Sequence, residues 1–154
     1  MNTALERVEW WAEISKPYVH LARLAQRLGG SCEVLDIDGS VHHFSSYTEA
    51  ALWLREDEYA LVAHLIEEGD LPASFALPTG RTNAELLGQM QKRGSELQAF
   101  LDRRFYESLG TERRDAACRH PGCTRGAVEM SALCAQHHFE NVIGRPYAEN
   151  DEDA

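Results

Sequence analysis

Four side chains near the end of this 154-residue chain have the types and spacing of metal ligands. Cys118 and Cys123 are separated by four residues, Cys134 follows after ten more, and His137 lies two residues beyond it. Structural zinc sites take four nitrogen or sulfur ligands in a tetrahedron, and they are commonly built from two such close pairs. The C-x4-C-x10-C-x2-H spacing therefore predicts a structural Zn²⁺ site formed by these four residues.

The sequence around each pair favours this arrangement. The Pro121-Gly122 step predicts a turn that curls the first two thiols toward one point. If a helix begins at Cys134, the i,i+3 spacing places its thiol and the imidazole of His137 on one face. His138 is the alternative fourth ligand because it directly follows His137. The spacing favours His137.

The segment CRHPGC…ALCAQHH resembles the short C-x4-C…C-x2-H zinc fingers of many small bacterial and bacteriophage proteins. In those fingers a Pro-Gly step precedes the second cysteine and a GLC or ALC step precedes the third. The resemblance covers about 30 residues and implies a treble-clef-like module made of a knuckle, a hairpin and a helix. Such modules handle nucleic acids in some proteins and make protein contacts in others.

The rest of the sequence predicts a mainly helical body. Capping signatures of the form S/T-x-x-E at Thr3, Ser46 and Thr82 predict three helix starts. Apolar stripes extend this to helices over 4–15 and 17–28, one bent or two short helices over 47–69, and a long helix from Thr82 to 109.

One β-hairpin interrupts the helices. The Asp38-Gly39 pair predicts a type I′ turn between strands near 32–37 and 40–44, and Cys32 is expected to be a small buried apolar residue. The predicted fold class is therefore mainly α with one β-hairpin (α+β). Its predicted parts are a helical body over 1–110, a zinc-finger module over 111–148 and a disordered acidic tail over 149–154.

The charge of the chain limits its partners. Fifteen Lys and Arg against 25 Asp and Glu give a formal net charge of −10, which opposes binding of nucleic acid or an anionic membrane over the whole surface. No apolar run is long enough to span a membrane, and we expect a cytoplasmic protein. One basic patch is a candidate contact for nucleic acid or a protein partner, and it consists of Arg103, Arg104, Arg113, Arg114, Arg119 and Arg125.

These observations favour a non-enzymatic adaptor or regulatory protein that holds structural zinc and acts through protein–protein contacts, with basic partners suited to its acidic body. A nucleic-acid-binding module that uses the arginine-rich 103–125 region and the finger is the first alternative. A metal-dependent nuclease of the HNH type, with His138 and Asn141, is a weaker one. We find no sequence signature of a nucleophilic or phosphate-binding site.

Overall fold

The computed structural model describes residues 4–15 and 18–148. The chain divides into two compact units, Met1–Gln98 and Ala99–Ala154, and the division falls within a long helix. The capping residue Thr3, the start of the second predicted helix at 17 and the predicted acidic tail over 149–154 lie outside the described residues.

A five-stranded antiparallel sheet forms the centre of the first unit, with the strand order β4-β3-β2-β1-β5. The strands are β1 (Leu5–Glu13), β2 (His20–Arg27), β3 (Cys32–Leu35), β4 (Val41–Phe44) and β5 (Ala60–Leu61). The prediction of a mainly α fold was therefore wrong, because the molecule is an α+β protein in which helices do not dominate.

The helices of the whole chain are α1 (Tyr47–Glu56), α2 (Val62–Glu67), α3 (Asn83–Ser108) and α4 (Ala135–Ile143). Two predicted capping residues are confirmed. Ser46 accepts a hydrogen bond from the backbone N–H of Glu49 at 3.2 Å, and Thr82 accepts one from that of Glu85 at 3.1 Å. Each bond satisfies a backbone donor that the first turn of a helix leaves without an intrahelical partner.

The two helices expected over 4–15 and 17–28 are instead the strands β1 and β2. Their burial explains the error. Trp11 and Leu24 belong to the cluster that packs against α1, and Ala12 and Leu21, which point to the opposite face, are also fully buried. A strand that is buried on both faces loses the period-2 alternation by which strands are identified, and short apolar runs of this kind also fit a helix.

The β3–β4 hairpin is confirmed, but its turn differs from the predicted one. The backbone N–H of Gly39 donates to the carbonyl of Asp36 at 3.0 Å, and that of Asp36 donates to the carbonyl of Ser40 at 2.9 Å. Gly39 has a φ of +88°, whereas Asp38 is not in the left-handed region. A three-residue loop with one left-handed glycine fits this geometry, and a two-residue type I′ turn does not.

The first part of α3 lies on the other side of the sheet from α1. A Cβ atom built on Gly94 would lie 3.6 Å from the carbonyl oxygen of Val19, and one built on Gly39 would lie 3.4 Å from the Leu87 side chain. Met90 and Leu97 on the same helix are fully buried. The sheet is thus enclosed between two helices, and Cys32 is buried in its core as expected.

Within the second unit, β6 (Glu112–Ala117) pairs with β7 (Gly126–Val128), and α4 follows. None of the helices in the described part of the chain is both long enough and apolar enough to cross a membrane.

We predict that Leu24→Ala destabilises the first unit by about 2–5 kcal/mol, because Leu24 is 0% exposed and its truncation leaves a cavity between sheet and helix. The matched control Leu52→Ala, at a side chain 54% exposed on α1, should change stability by less than about 0.5 kcal/mol. Urea unfolding followed by tryptophan fluorescence measures both, since Trp10, Trp11 and Trp53 all lie in this unit. Equal losses in the two variants would contradict the assignment of the core.

Candidate metal centre

The strands β6 and β7 hold the first cysteine pair. Cys118 directly follows β6, and its backbone N–H donates to the carbonyl of Arg125 at 2.9 Å, next to the start of β7. Cys123 lies in the connection between the two strands. The resemblance implies a knuckle, a hairpin and a helix in that order, but here the hairpin encloses the knuckle, since β6 precedes the first cysteine pair and β7 follows it.

The helix α4 holds the second pair. Cys134 is its N-cap residue, and the thiol sulfur accepts a hydrogen bond from the backbone N–H of His137 at 3.5 Å. This cap places the imidazole of His137 in the first turn, on the same side as the sulfur. The expected helix start at Cys134 is confirmed.

The structure brings all four predicted ligands to one point. The ligand atoms of Cys118, Cys123, Cys134 and His137 lie within 4.8 Å of one another. The Cys123 and Cys134 sulfurs are 3.9 Å apart. His137 Nδ1 lies 3.2 Å from the Cys134 sulfur and 3.5 Å from the Cys118 sulfur.

These separations can be compared with a zinc tetrahedron. With zinc–sulfur bonds of about 2.3 Å and zinc–nitrogen bonds of about 2.0 Å, the sulfur–sulfur edges are about 3.8 Å and the sulfur–nitrogen edges about 3.5 Å. The three individual separations differ from these values by no more than a few tenths of an ångström. The other edges are at most 4.8 Å, so the cluster can hold a tetrahedral metal ion after small shifts of the side chains.

The neighbouring histidines have other contacts. His138 Nδ1 lies 2.8 Å from the hydroxyl oxygen of Ser131, and its ring stacks on Phe105 with centroids 6.4 Å apart. The ring of His120 stacks on His137 at 3.8 Å between centroids and 6° between planes. His137, rather than His138, is thus the imidazole in the cluster, and the stacked His120 ring restricts its orientation.

The surrounding residues shift the pKa values of the Cys118 and Cys134 thiols in opposite directions. Burial opposes the thiolate of Cys118, but hydrogen bonds with the backbone of Cys134 and His120 and with the side chain of His137 outweigh it and lower the pKa of this thiol to about 6. Burial raises the pKa of the Cys134 thiol. A bound cation would stabilise both groups as thiolates, because metal ligation requires a deprotonated sulfur.

The second unit has little other core. Its buried side chains among the described residues are two of the cysteine ligands and the set Ala127, Val128, Ala135 and Phe139. Phe139 is packed by aromatic rings at centroid distances of 5.8 Å to Phe105, 6.3 Å to Tyr106 and 5.2 Å to Tyr147. So few apolar groups contribute little stability to a unit of this size, and a metal ion bound by the cluster would add to its folding free energy.

Two residues that position the cluster were not identified from the sequence. Glu112 accepts a hydrogen bond from Arg125 Nε at 3.0 Å with one oxygen and from the Ala135 backbone N–H at 3.1 Å with the other, and so connects β6 to the start of α4. No spacing rule marks such a residue. Gly126, in β7, pairs with Ala117 of β6, and a glycine inside a strand is a known sign of close backbone approach.

The arginines of the predicted patch fall into separate groups. Arg113, Arg114 and Arg125 line one depression on the hairpin, together with Thr124. Arg119 is exposed on the knuckle one residue after Cys118. The remaining two, Arg103 and Arg104, are exposed on α3 and are not among the residues that line the depression.

No protein-family model, curated protein or solved structure matches this chain. The assignment of the site therefore depends on its geometry and on the chemistry of its donors.

We predict that Gly126→Ala disrupts the metal centre, because the added Cβ would lie 1.8 Å from the carbonyl oxygen of Arg113 and the two strands would have to separate. Metal affinity, measured by competition with a chromophoric chelator, should fall at least tenfold. The control Gly88→Ala adds its methyl group to open space on α3 and should leave metal affinity unchanged while stabilising the helix by about 0.4–1 kcal/mol. Wild-type metal affinity in Gly126→Ala would show that the close approach is not needed.

Proposed function

We propose that the cluster of Cys118, Cys123, Cys134 and His137 binds Zn²⁺ and that the ion is structural. Three thiolates and one imidazole are a donor set typical of structural zinc, and magnesium and calcium prefer oxygen ligands. Catalytic zinc keeps one coordination position for water or substrate, whereas here four protein donors lie within 4.8 Å of one another and close the tetrahedron. A closed site supports the role of a fold-stabilising ion.

We infer from this closed site that the protein is a non-enzymatic adaptor that uses its finger to contact another protein. Two exposed apolar side chains support a protein contact on the finger: Met130 is 94% exposed at a positive φ of 66°, and Val142 on α4 is 54% exposed. Met130 lies in a turn closed by a hydrogen bond from the Ser131 backbone N–H to the carbonyl of Val128 at 3.1 Å, so the turn presents its side chain to solvent, where an apolar groove of a partner would bury it.

The charge of the first unit bears on the kind of partner. Residues 1–98 contain 8 Lys and Arg and 15 Asp and Glu, which gives −7, whereas residues 99–154 contain 7 and 10. An acidic body next to a nearly neutral finger suits a partner with a basic surface, because complementary charge raises the rate of encounter.

The nuclease alternative receives no support from the geometry. The imidazole of His138 is engaged by Ser131 and Phe105, and among the described residues it contacts no carboxylate. A general base in an HNH-type site would need to face a metal-bound substrate instead.

We predict that wild-type protein purified with zinc contains one ion per chain and that Cys134→Ser loses it, because three of the four donors bind zinc far more weakly. Cys32→Ser is the matched control, since that thiol is buried in the sheet core of the first unit and should leave metal content unchanged. Elemental analysis measures the ion, and cobalt(II) substitution reports tetrahedral thiolate coordination by its visible spectrum. Tryptophan fluorescence should remain native in Cys134→Ser, because all three tryptophans lie in the first unit. One zinc per chain in Cys134→Ser would remove Cys134 from the ligand set.

The adaptor role predicts a protein partner that depends on the finger. Tagged wild-type chain captured from its native cells after cross-linking should retain the same partner with and without nuclease treatment. Cys134→Ser should lose it, and Met130→Gln should bind it several-fold more weakly while keeping its zinc. Leu52→Gln, at another exposed apolar side chain, serves as the control and should bind as wild type. A partner that is released by nuclease, or that is retained by both finger variants, would contradict the proposal.

A further inference from the structure

A wide bulge in β6 sets the shape of one face of the finger. Glu112 pairs with Val128 and Ala117 pairs with Gly126, so five residue steps along β6 face two steps along β7. The four residues 113–116 lie opposite the single residue Ala127, so three of them are extra and leave the ladder. Bulges of this kind reorient side chains and are frequent beside functional sites.

The bulge is held in place by two contacts. The carbonyl of Arg113 lies so close to Gly126 that a Cβ there would be 1.8 Å from its oxygen. The Arg113 guanidinium donates to the carbonyl oxygen of Ser131 at 3.2 Å. The arginine side chains of the bulge thus project from a backbone that the folded finger fixes.

Beside the bulge is an open depression of about 370 Å³ lined by Arg113, Arg114, Arg125 and Thr124. Glu112 supplies the carboxylate in its wall, and both oxygens of that group are already engaged, one by Arg125 and the other by a backbone N–H of α4. Arg125 is therefore neutralised. Asp115, although next in sequence to Arg114, is not among the lining residues.

Two guanidinium groups in the depression have no counter-charge. Arg113 donates only to a neutral carbonyl, and no hydrogen bond or ion pair joins Arg114 to another residue in the described ranges 4–15 and 18–148. The backbone N–H of Arg119, on the adjoining knuckle, donates to the carbonyl of Ala132 at 2.9 Å, but its exposed side chain has no hydrogen bond or ion pair within those ranges. A planar guanidinium matches the oxygens of a phosphate in a bidentate manner.

We propose that this face of the finger binds the phosphate groups of a single-stranded nucleic acid. Uncompensated cations at two positions of the bulge and one of the knuckle suit a ligand that repeats its charge, as a phosphodiester backbone does, better than a single phosphoryl group. The region of contact is small, because residues 1–98 carry −7 and repel the strand elsewhere. Three arginines therefore set the number of phosphate contacts, and the binding is weak and salt-sensitive.

The number of phosphate contacts determines how steeply the binding constant falls with salt concentration. Each phosphate contact to a single strand contributes about 0.7 to the slope of log K against log salt concentration, so three contacts give a slope of about −2. Raising the salt from about 50 to 200 mM should then weaken binding about 20-fold in the wild type and about 7-fold after the loss of one arginine.

The test uses the zinc-loaded full chain and a fluorescein-labelled single-stranded oligonucleotide of about 20 nucleotides, long enough for one site. Anisotropy titrations at several salt concentrations should show the full slope in wild type and a slope smaller by about 0.7 in Arg114→Gln. Arg81→Gln removes the same charge from an exposed position in the first unit and should behave as wild type.

Three results would overturn this inference. The first is no detectable binding of the oligonucleotide at about 50 mM salt. The second is an equal loss of affinity in Arg114→Gln and Arg81→Gln, and the third is displacement of the oligonucleotide by polyglutamate at the same charge concentration. The last would identify the face as a site for acidic polypeptides. Arg114→Gln should retain one zinc per chain and its protein partner, so a failure here is distinguishable from a failure of the adaptor role.

Discussion

The second unit depends on the convergence of three sulfurs and one imidazole nitrogen within 4.8 Å. Without a cation, this convergence places three groups of the same potential charge close together in a unit whose apolar core is centred on Phe139. With a cation, the same groups become the strongest contacts in the unit. The pairing of β6 with β7 and the start of α4 at Cys134 bring these four ligands together.

Two further residues link the ligand cluster to the surface of the finger. Glu112 connects β6 to the first turn of α4, and Gly126 allows the backbone at Arg113 to approach β7. Because both residues act on the same short hairpin, the ligand cluster, the bulge and the arginine-lined depression belong to one structural element. A partner that contacts this face would sense whether the metal is bound.

The sequence was most informative where the constraint is local. Ligand spacing, the helix caps at Ser46 and Thr82 and the glycine of the β3–β4 loop each depend on a few neighbouring residues, and each can be read from the sequence. The β1–β2 pair could not be predicted in this way. Its pairing joins Leu5 to Arg27, and both faces of the two strands are buried by helices distant in sequence. The same applies to Glu112, whose role arises only when β6 and α4 meet.

The sheet of the first unit has unequal borders. At one side it ends in β5, which pairs only with Trp11 and Ala12 of β1. The earlier half of β1 pairs with β2, but on the β5 side it has no strand beside it among the described residues. That half carries Glu6, Arg7 and Glu9. Charged side chains on an open border disfavour strand-to-strand association between copies of a chain. The exposed charges of Glu6 and Arg7 on this border therefore oppose its pairing with a second copy of the sheet.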